Sequence, residues 1–392
     1  MNEAGPGRPA ADRLALRLGG LLSLALAALP LLLLGVAGTW RGRSFALASL
    51  GAAGLPWFFT WARSRGRPVW QVALAAIAGL APAWIALAVT SPPGQAGPVS
   101  RALHALPDSS RGYSRHVLGN WLPEEDQLRL GFTLMPAIDP LLTAKQAARL
   151  RNWTTEIYGE LEADPDFRNL GSVLPLTYAE LRGSADAGVH AYVYIPAGLD
   201  RKKPAPVLVF FHGSGGNWKA YLWILAQVAD RCGLVVIAPT FGTGAWREPE
   251  TSNRLAAALH AAKRYVALDE QQLHVAGLSN GGRAVSELLA AGQPAFRSYV
   301  FISPVFDDAA LRQRSPSQPG RRDKVLILTG PLDERVPVDY VRQRATGLGQ
   351  TGAQVELVEE PGADHFLMFS HRGRVIDLLA NHLQAAPKPG KD

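Results

Sequence analysis

Three stretches near the start of the chain carry no charged residue: Leu18 to Trp40, Ser44 to Ala62 and Pro68 to Ser100. The first and third are long enough to cross a hydrocarbon core of about 30 Å as helices, and the second, with Pro56 inside it, is a marginal but acceptable span. A buried helical core is the bland alternative, but the remainder of the chain already has apolar runs for a core of its own. The sequence therefore predicts a multi-pass membrane anchor over residues 1–92, with spans near 18–40, 44–62 and 69–90. One apolar run after a basic start would read as a signal peptide; three in series read as a retained anchor. The runs contain no acid, Lys or His, so they suggest anchoring and not a transport path.

The net charge of +7 belongs to the flanks of these spans. The first 100 residues hold eight Arg and two acids, which leaves 32 bases against 31 acids in the other 292. A nucleic-acid partner would need a basic patch on that second part, and the balance gives none. Arg8, Arg13, Arg17, Arg63, Arg65 and Arg67 fall on one side of three spans, against Arg41 and Arg43 on the other. By the positive-inside rule the six mark the cytoplasmic side of an inner membrane, which places everything after residue 92 in a periplasm. Cys232 is the single cysteine, so no internal disulfide is possible, and its apolar neighbours read as a buried structural thiol. No Cys/His cluster has zinc spacing, and neither a metal nor a cofactor is expected.

Ser91 to Pro98 has linker composition. Residues 93–170 read as a linker and a partly helical pre-domain, with one clear helix capped by Thr143 and ended by Asp164-Pro165. Its stripe of Leu150, Trp153, Ile157 and Leu161 fits core packing or an acyl pocket. From residue 171 short apolar runs alternate with helix-length segments. Strands are expected at 173–181, 189–196, 207–212, 234–238, 273–277, 298–303, 324–329 and 354–359, and helices at 220–231, 251–266, 280–291, 338–348 and 372–384. The pattern is that of an α/β domain, a doubly wound and mostly parallel sheet, over 171–386, with a tail at 387–392.

Residues 273–284 run from an apolar strand through Gly277-Leu-Ser279-Asn-Gly281 into a helix-forming stretch. The glycines two residues either side of Ser279 suit a sharp turn that brings backbone against backbone and exposes the serine Oγ above a helix N-terminus. A plain Gly-rich turn is the alternative, and the pentapeptide alone does not decide. A serine hydroxyl needs a base, an orienting acid and an oxyanion site to act as nucleophile. Asp333 follows the strand Val325 to Leu328, and His365 follows Val355 to Val358. His212-Gly-Ser-Gly-Gly-Asn217 follows Pro206 to Phe211. In a parallel sheet all of these loops share one edge with Ser279. The catalytic candidates are Ser279, His365 and Asp333. The oxyanion donors are the backbone N–H groups of Ser214 and Asn280, with that of Gly215 close behind. Asp307 and Asp308 are the competing acids, and His371 the competing base. His274 and His260 read as structural, and His212 as a brace of the oxyanion loop.

On these residues the chain resembles the α/β-hydrolase superfamily over about 171–386: the order Ser, Asp, His and H-G-x-G-G ahead of the elbow follow that family. Tyr192-Val-Tyr-Ile-Pro-Ala-Gly198, the H-G-S-G-G-N loop and G-x-x-D-x-x-V-P are similar to polyhydroxyalkanoate depolymerases, feruloyl esterases and dienelactone-hydrolase-like proteins. Asn280 beside the nucleophile and the three preceding spans depart from those groups. The resemblance implies a serine esterase acting on a small-molecule or lipid ester; an acyltransferase or peptidase with the same triad, or a non-catalytic binding protein, are the alternatives. Residues 304–323, where relatives insert a lid, are short and polar, so an open site is expected. Trp218, Tyr221 and Trp246 are candidates for an acyl or aromatic pocket, with core packing or loop anchoring as the other reading of each.

Overall fold

A computed structural model describes residues 8–93, 102–106, 118–181, 190–292, 296–314 and 323–385. Residues 94–98 of the linker expected at 91–98 lie outside these residues, as do the 387–392 tail and 315–322 of the stretch where a lid could be inserted. The chain divides into two compact units, one of residues 1–91 with 118–151 and one of 92–117 with 152–392.

The first unit holds α1 (Arg8–Val36), α2 (Trp40–Ala53), α3 (Leu55–Ser64) and α4 (Val69–Thr90). Three stretches, Ala11–Val36, Trp40–Ser64 and Val69–Thr90, are long and apolar enough to cross a membrane. The second of them is two helices in tandem. The break falls where Pro56 enters the first turn of α3, because proline cannot donate to the preceding turn and so starts a helix instead of continuing one. A Cβ on Gly19 of α1 would come within 2.9 Å of the Pro56 carbonyl oxygen, so glycine lets these helices approach backbone to backbone. Trp61 of α3 lies under Arg65 and Arg67, each 5.9 Å from its ring, at the basic end expected to face the cytoplasm.

The unit is completed by α5 (Glu124–Leu134) and the start of α6 (Ala144–Leu161). Thr143 caps α6 as expected: its Oγ accepts from Gln146 N–H, and Gln146 Oε1 accepts from Thr143 N–H in return. Of the α6 stripe, Leu150, Ile157 and Leu161 are fully buried, which is the core-packing reading.

The second unit is an eight-stranded sheet of β1 (Ala102–Leu106), β2 (Ala191–Ile195), β3 (Ala205–Phe211), β4 (Val235–Pro239), β5 (Leu268–Leu278), β6 (Ser298–Ile302), β7 (Lys324–Thr329) and β8 (Gln354–Glu359). The strand order is β1-β2-β4-β3-β5-β6-β7-β8. β2 pairs antiparallel with β1 and β4, and the strands from β4 to β8 are parallel. Its helices are α7 (Pro165–Asn169), α8 (Leu174–Leu181), α9 (Lys219–Cys232), α10 (Glu250–Ala262), α11 (Gly281–Ala291), α12 (Asp308–Gln313), α13 (Val338–Gln350), α14 (Leu367–Ser370) and α15 (Arg372–Gln384). One core joins alternate strand residues such as Val207, Val209, Phe211, Ile237, Val275 and Phe301 to α10, α11 and α13. The opposite face carries α9, where Phe210 meets Tyr221. Burial on both faces is why these strands read as continuous apolar runs.

Two elements differ from expectation. The strand at 173–181 is instead α8: the alternation of Leu174, Leu176 and Tyr178 mimics a strand, but Pro175 fits the first turn of a helix. The edge strand β1, in a stretch with no clear pattern, is fixed by antiparallel pairing with β2 and not by its own periodicity.

Candidate active site

Register fixes the site first. Leu278 at the end of β5 lies opposite Ile302, and Ile302 opposite Leu328, so the loops after β5, β6 and β7 emerge side by side at one sheet edge. Ser279 follows at φ +50°, a left-handed backbone that costs a non-glycine residue energy and must be held by its surroundings. Its N–H donates to Ile302 O at 2.9 Å, and its carbonyl accepts from Gly282 N–H and Val305 N–H. A Cβ on Gly277 would collide with the Gly281 carbonyl, and one on Gly281 with that of Phe211. The G-x-S-x-G spacing is therefore a packing requirement of the turn. α11 starts two residues beyond Ser279, so the serine stands over the positive end of an 11-residue helix.

His365 Nε2 lies 3.0 Å from Ser279 Oγ, and His365 Nδ1 2.8 Å from Asp333 Oδ2. A carboxylate can only accept, so Nδ1 carries the proton and Nε2 is left to accept from the serine hydroxyl. The other carboxylate oxygen of Asp333 accepts from the backbone N–H groups of Arg335 and Val336, each at 2.9 Å. These two donors, not noted from the sequence, are the ordinary partners of an aspartate that caps its own turn, and D-x-R-V is the signal that could have found them. The competing groups are committed elsewhere. Asp307 caps α12 through Ala310 N–H, Asp308 pairs with Arg344, and His371 bonds Ser370 at the start of α15. Glu334, beside Asp333, is exposed.

The loop after β3 lies against the elbow: a Cβ on Gly213 would sit 3.1 Å from Leu278 O and from Ser279 Cβ. Gly215 and Gly216 take φ of +92° and +90°, which few other residues adopt without strain. Among the described residues, the backbone N–H groups of Ser214 and Asn280 donate to no backbone acceptor. Their side chains are joined, Asn280 Nδ2 donating to Ser214 Oγ at 2.9 Å, so the two donor-bearing segments are clasped to each other. His212 is fully buried; its Nδ1–H donates to Gly213 O, and its Nε2 accepts from Phe241 N–H. Burial lowers its pKa to about 4, which keeps it neutral between these two partners.

Trp218, Tyr221 and Trp246 are buried, none being more than 8% exposed. Trp246 donates from Nε1 to His212 O at 2.8 Å and packs edge-on to Phe211. Trp218 donates to Gly215 O at 3.1 Å and stacks on Tyr221, with ring centroids 4.9 Å apart. These bonds hold the loop after β3, because a Gly-rich loop lacks side chains with which to hold itself. α8 presses Thr177 against Gly216, where a Cβ would collide with the threonine. Among the described residues, no group of three His, Cys, Asp or Glu side chains is placed to hold a metal.

The sheet with its elbow serine, and the acid and base loops that follow it in chain order, is an α/β-hydrolase fold. No protein-family model and no curated protein matches the chain. Among solved structures it is similar to an esterase of Pyrobaculum calidifontis, at 17% identity over 50% of this chain and 80% of that one, with a TM-score of 0.40. It is similar also to Thermogutta terrifontis esterase 2 phosphonylated by sarin, at 19% identity over 52% and 94%, TM-score 0.40. A thermostable esterase of Pseudomonas putida ECU1011 matches at 19% identity over 52% and 80%, TM-score 0.42. These likenesses are distant, and the fold assignment rests on the strand order and register described above.

Proposed function

We propose that the chain is a serine hydrolase that cleaves carboxylic esters through an acyl-enzyme on Ser279, and that residues 1–92 hold it to a membrane. The observation that carries the reading is the continuous hydrogen-bonded line from Ser279 Oγ through the His365 imidazole to the buried Asp333 carboxylate. His365 accepts the Ser279 hydroxyl proton on Nε2 as Oγ adds to the ester carbonyl. Asp333 keeps the imidazole in the tautomer this requires and offsets the charge it gains. The carbonyl oxygen, turning negative, is met by the N–H groups of Ser214 and Asn280, with Gly215 behind and the α11 dipole below. His365 then returns its proton to the leaving alkoxide, and water, deprotonated by the same nitrogen, releases the acid. Serine becomes a usable nucleophile because the imidazole, and not bulk water, receives its proton at 3.0 Å.

The membrane part of the proposal draws on the three apolar stretches, whose outward leucines are exposed, as Leu24 is at 71%. The arginine distribution supports a periplasmic hydrolase unit in an inner membrane. One experiment tests nucleophile and sidedness together: labelling of intact spheroplasts with a membrane-impermeant fluorophosphonate. Labelling that disappears in Ser279→Ala supports both; labelling only after lysis reverses the sidedness; none in either state sinks the hydrolase reading.

A further inference from the structure

We propose that residues 134–141, the turn between α5 and α6, form an additional membrane contact, an apolar wedge resting in the interfacial layer of a phospholipid bilayer. The inference rests on the membrane-anchor reading and adds a contact surface to it.

From Leu130 to Ile138 the chain carries no charge. Three large apolar side chains of the turn are turned outward: Leu134 at 42%, Ile138 at 77% and Leu141 at 44% exposure. Ala137 and Pro140 are exposed among them. Outside the three spans and this turn, only Tyr178 and Leu332 are large apolar residues so exposed among the described residues. The turn therefore shares its surface character with the spans and not with the hydrolase unit.

Its depth is set by α5. Leu122, Asp126 and Leu130 recur at four-residue spacing and face the end of the bundle. Asp126 accepts from Gly38 N–H at 2.7 Å and from Thr39 N–H at 3.3 Å, where α1 ends and α2 begins. Arg129 Nε donates to Val36 O at 2.7 Å. Leu122 and Leu130 pack against the cluster of Leu33, Ala37 and Ala46. α5 is thus pinned level with the last turn of α1, where a spanning helix meets the headgroups, and the apolar turn continues directly from it. Lys145 and Arg149, exposed one turn apart at the start of α6, suit anionic headgroup phosphates. Asp139 is the one acid in the turn, and its carboxylate accepts from Leu141 N–H. Apolar side chains flanked by bases at interfacial depth are the chemistry of a monotopic membrane contact.

The test uses the full chain in phosphatidylcholine–phosphatidylglycerol vesicles, with nitroxide labels placed in a Cys232→Ala background. Labels at Ile138→Cys and, separately, Leu141→Cys are compared with Ile77→Cys in α4 and Lys203→Cys in the hydrolase unit. Power saturation by oxygen and by a nickel chelate reads the depth of each. The expected result is hydrocarbon depth at 77, water at 203, and an oxygen-to-nickel ratio at 138 and 141 several-fold above that at 203. Water values at 138 and 141 with position 77 in hydrocarbon overturn the wedge and leave the anchor standing. Water values at 77 overturn the anchor and the wedge with it. Shielding from both reagents at 138 and 141 overturns the wedge in favour of a covering protein, a second copy included.

Discussion

The two compact units treat the same residue types in opposite ways. The first unit turns its large apolar side chains outward, Ile77 at 62% and Leu24 at 71%, and keeps polar groups such as Asp126 inside, fully buried. The second unit buries Val, Ile and Phe on both faces of a sheet and brings Ser279, His365 and Asp333 together at one edge of it. Hydropathy alone reads both as apolar runs. Charge spacing separates them, since the runs that end at about 20 residues without an acid or base are the outward-facing ones. A polar group inside the first unit fastens helices, whereas Ser279, His365 and Asp333 of the second meet at the edge of its sheet.

The largest effect that tests this division is Ser279→Ala. Hydrolysis of p-nitrophenyl esters should fall by on the order of 10⁴-fold or more. Thermal midpoint and membrane partition should be unchanged, because Oγ serves chemistry and packs nothing. Ester turnover at the native rate would remove the division at its chemical end.

The buried histidines put an acid-sensitive term in the second unit. Burial lowers the pKa of His212, His274 and His382 to about 4, from an ordinary value of 6.5. The folded state therefore holds these residues neutral where the unfolded chain binds protons. Stability is complete above pH 6.5 and declines as pH falls toward 4, by about 1.4 kcal/mol per pH unit for each residue while only the unfolded form is protonated. The first unit, residues 1–91 with 118–151, contains no histidine. Heat inactivation of the esterase, assayed after return to neutral pH, should move to lower temperature between pH 7 and 5, and His382→Leu should flatten that slope. A slope unchanged in the variant would show that the acid sensitivity lies elsewhere.

Asp126→Ala reverses the comparison, with damage confined to the first unit. Removing the carboxylate strands the Gly38 and Thr39 donors, at about 1–3 kcal/mol for a buried group left without a partner. Protease cleavage between residues 118 and 134 should become faster in micelles, while ester hydrolysis holds. The smallest effect is at the clasp. Asn280→Ala or Ser214→Ala should lower kcat several-fold with KM little changed. The double variant should cost no more than either alone, since both remove one hydrogen bond worth about 1 kcal/mol. Additive losses would mean the side chains act separately.

Much of the sheet was legible because burial on both faces imposes an unbroken apolar run, as in Val325–Leu328, and because each helix that follows carries its own periodicity. The meeting of Ser279, Asp333 and His365 was legible because a strand end, a loop and a chain order are all linear properties. α8 was misread because Leu174, Leu176 and Tyr178 alternate like a strand, and β1 was missed because an edge strand is defined by its partner. Trp218, Tyr221 and Trp246 were ambiguous for a related reason: an aromatic ring beside an active-site loop is spelled the same whether it faces the substrate or holds the loop.

The sequence by itself determined the three long apolar stretches, the parallel sheet and the chain order of Ser279, Asp333 and His365, since each depends on composition or order along the chain. Only the tertiary structure decided that His365 bridges the other two at 3.0 and 2.8 Å, that Asn280 clasps Ser214, and that Asp126 fastens α5 to the α1–α2 turn 87 residues away. Those are contacts between segments far apart in the chain. Their geometry follows from register and packing, which no local pattern encodes.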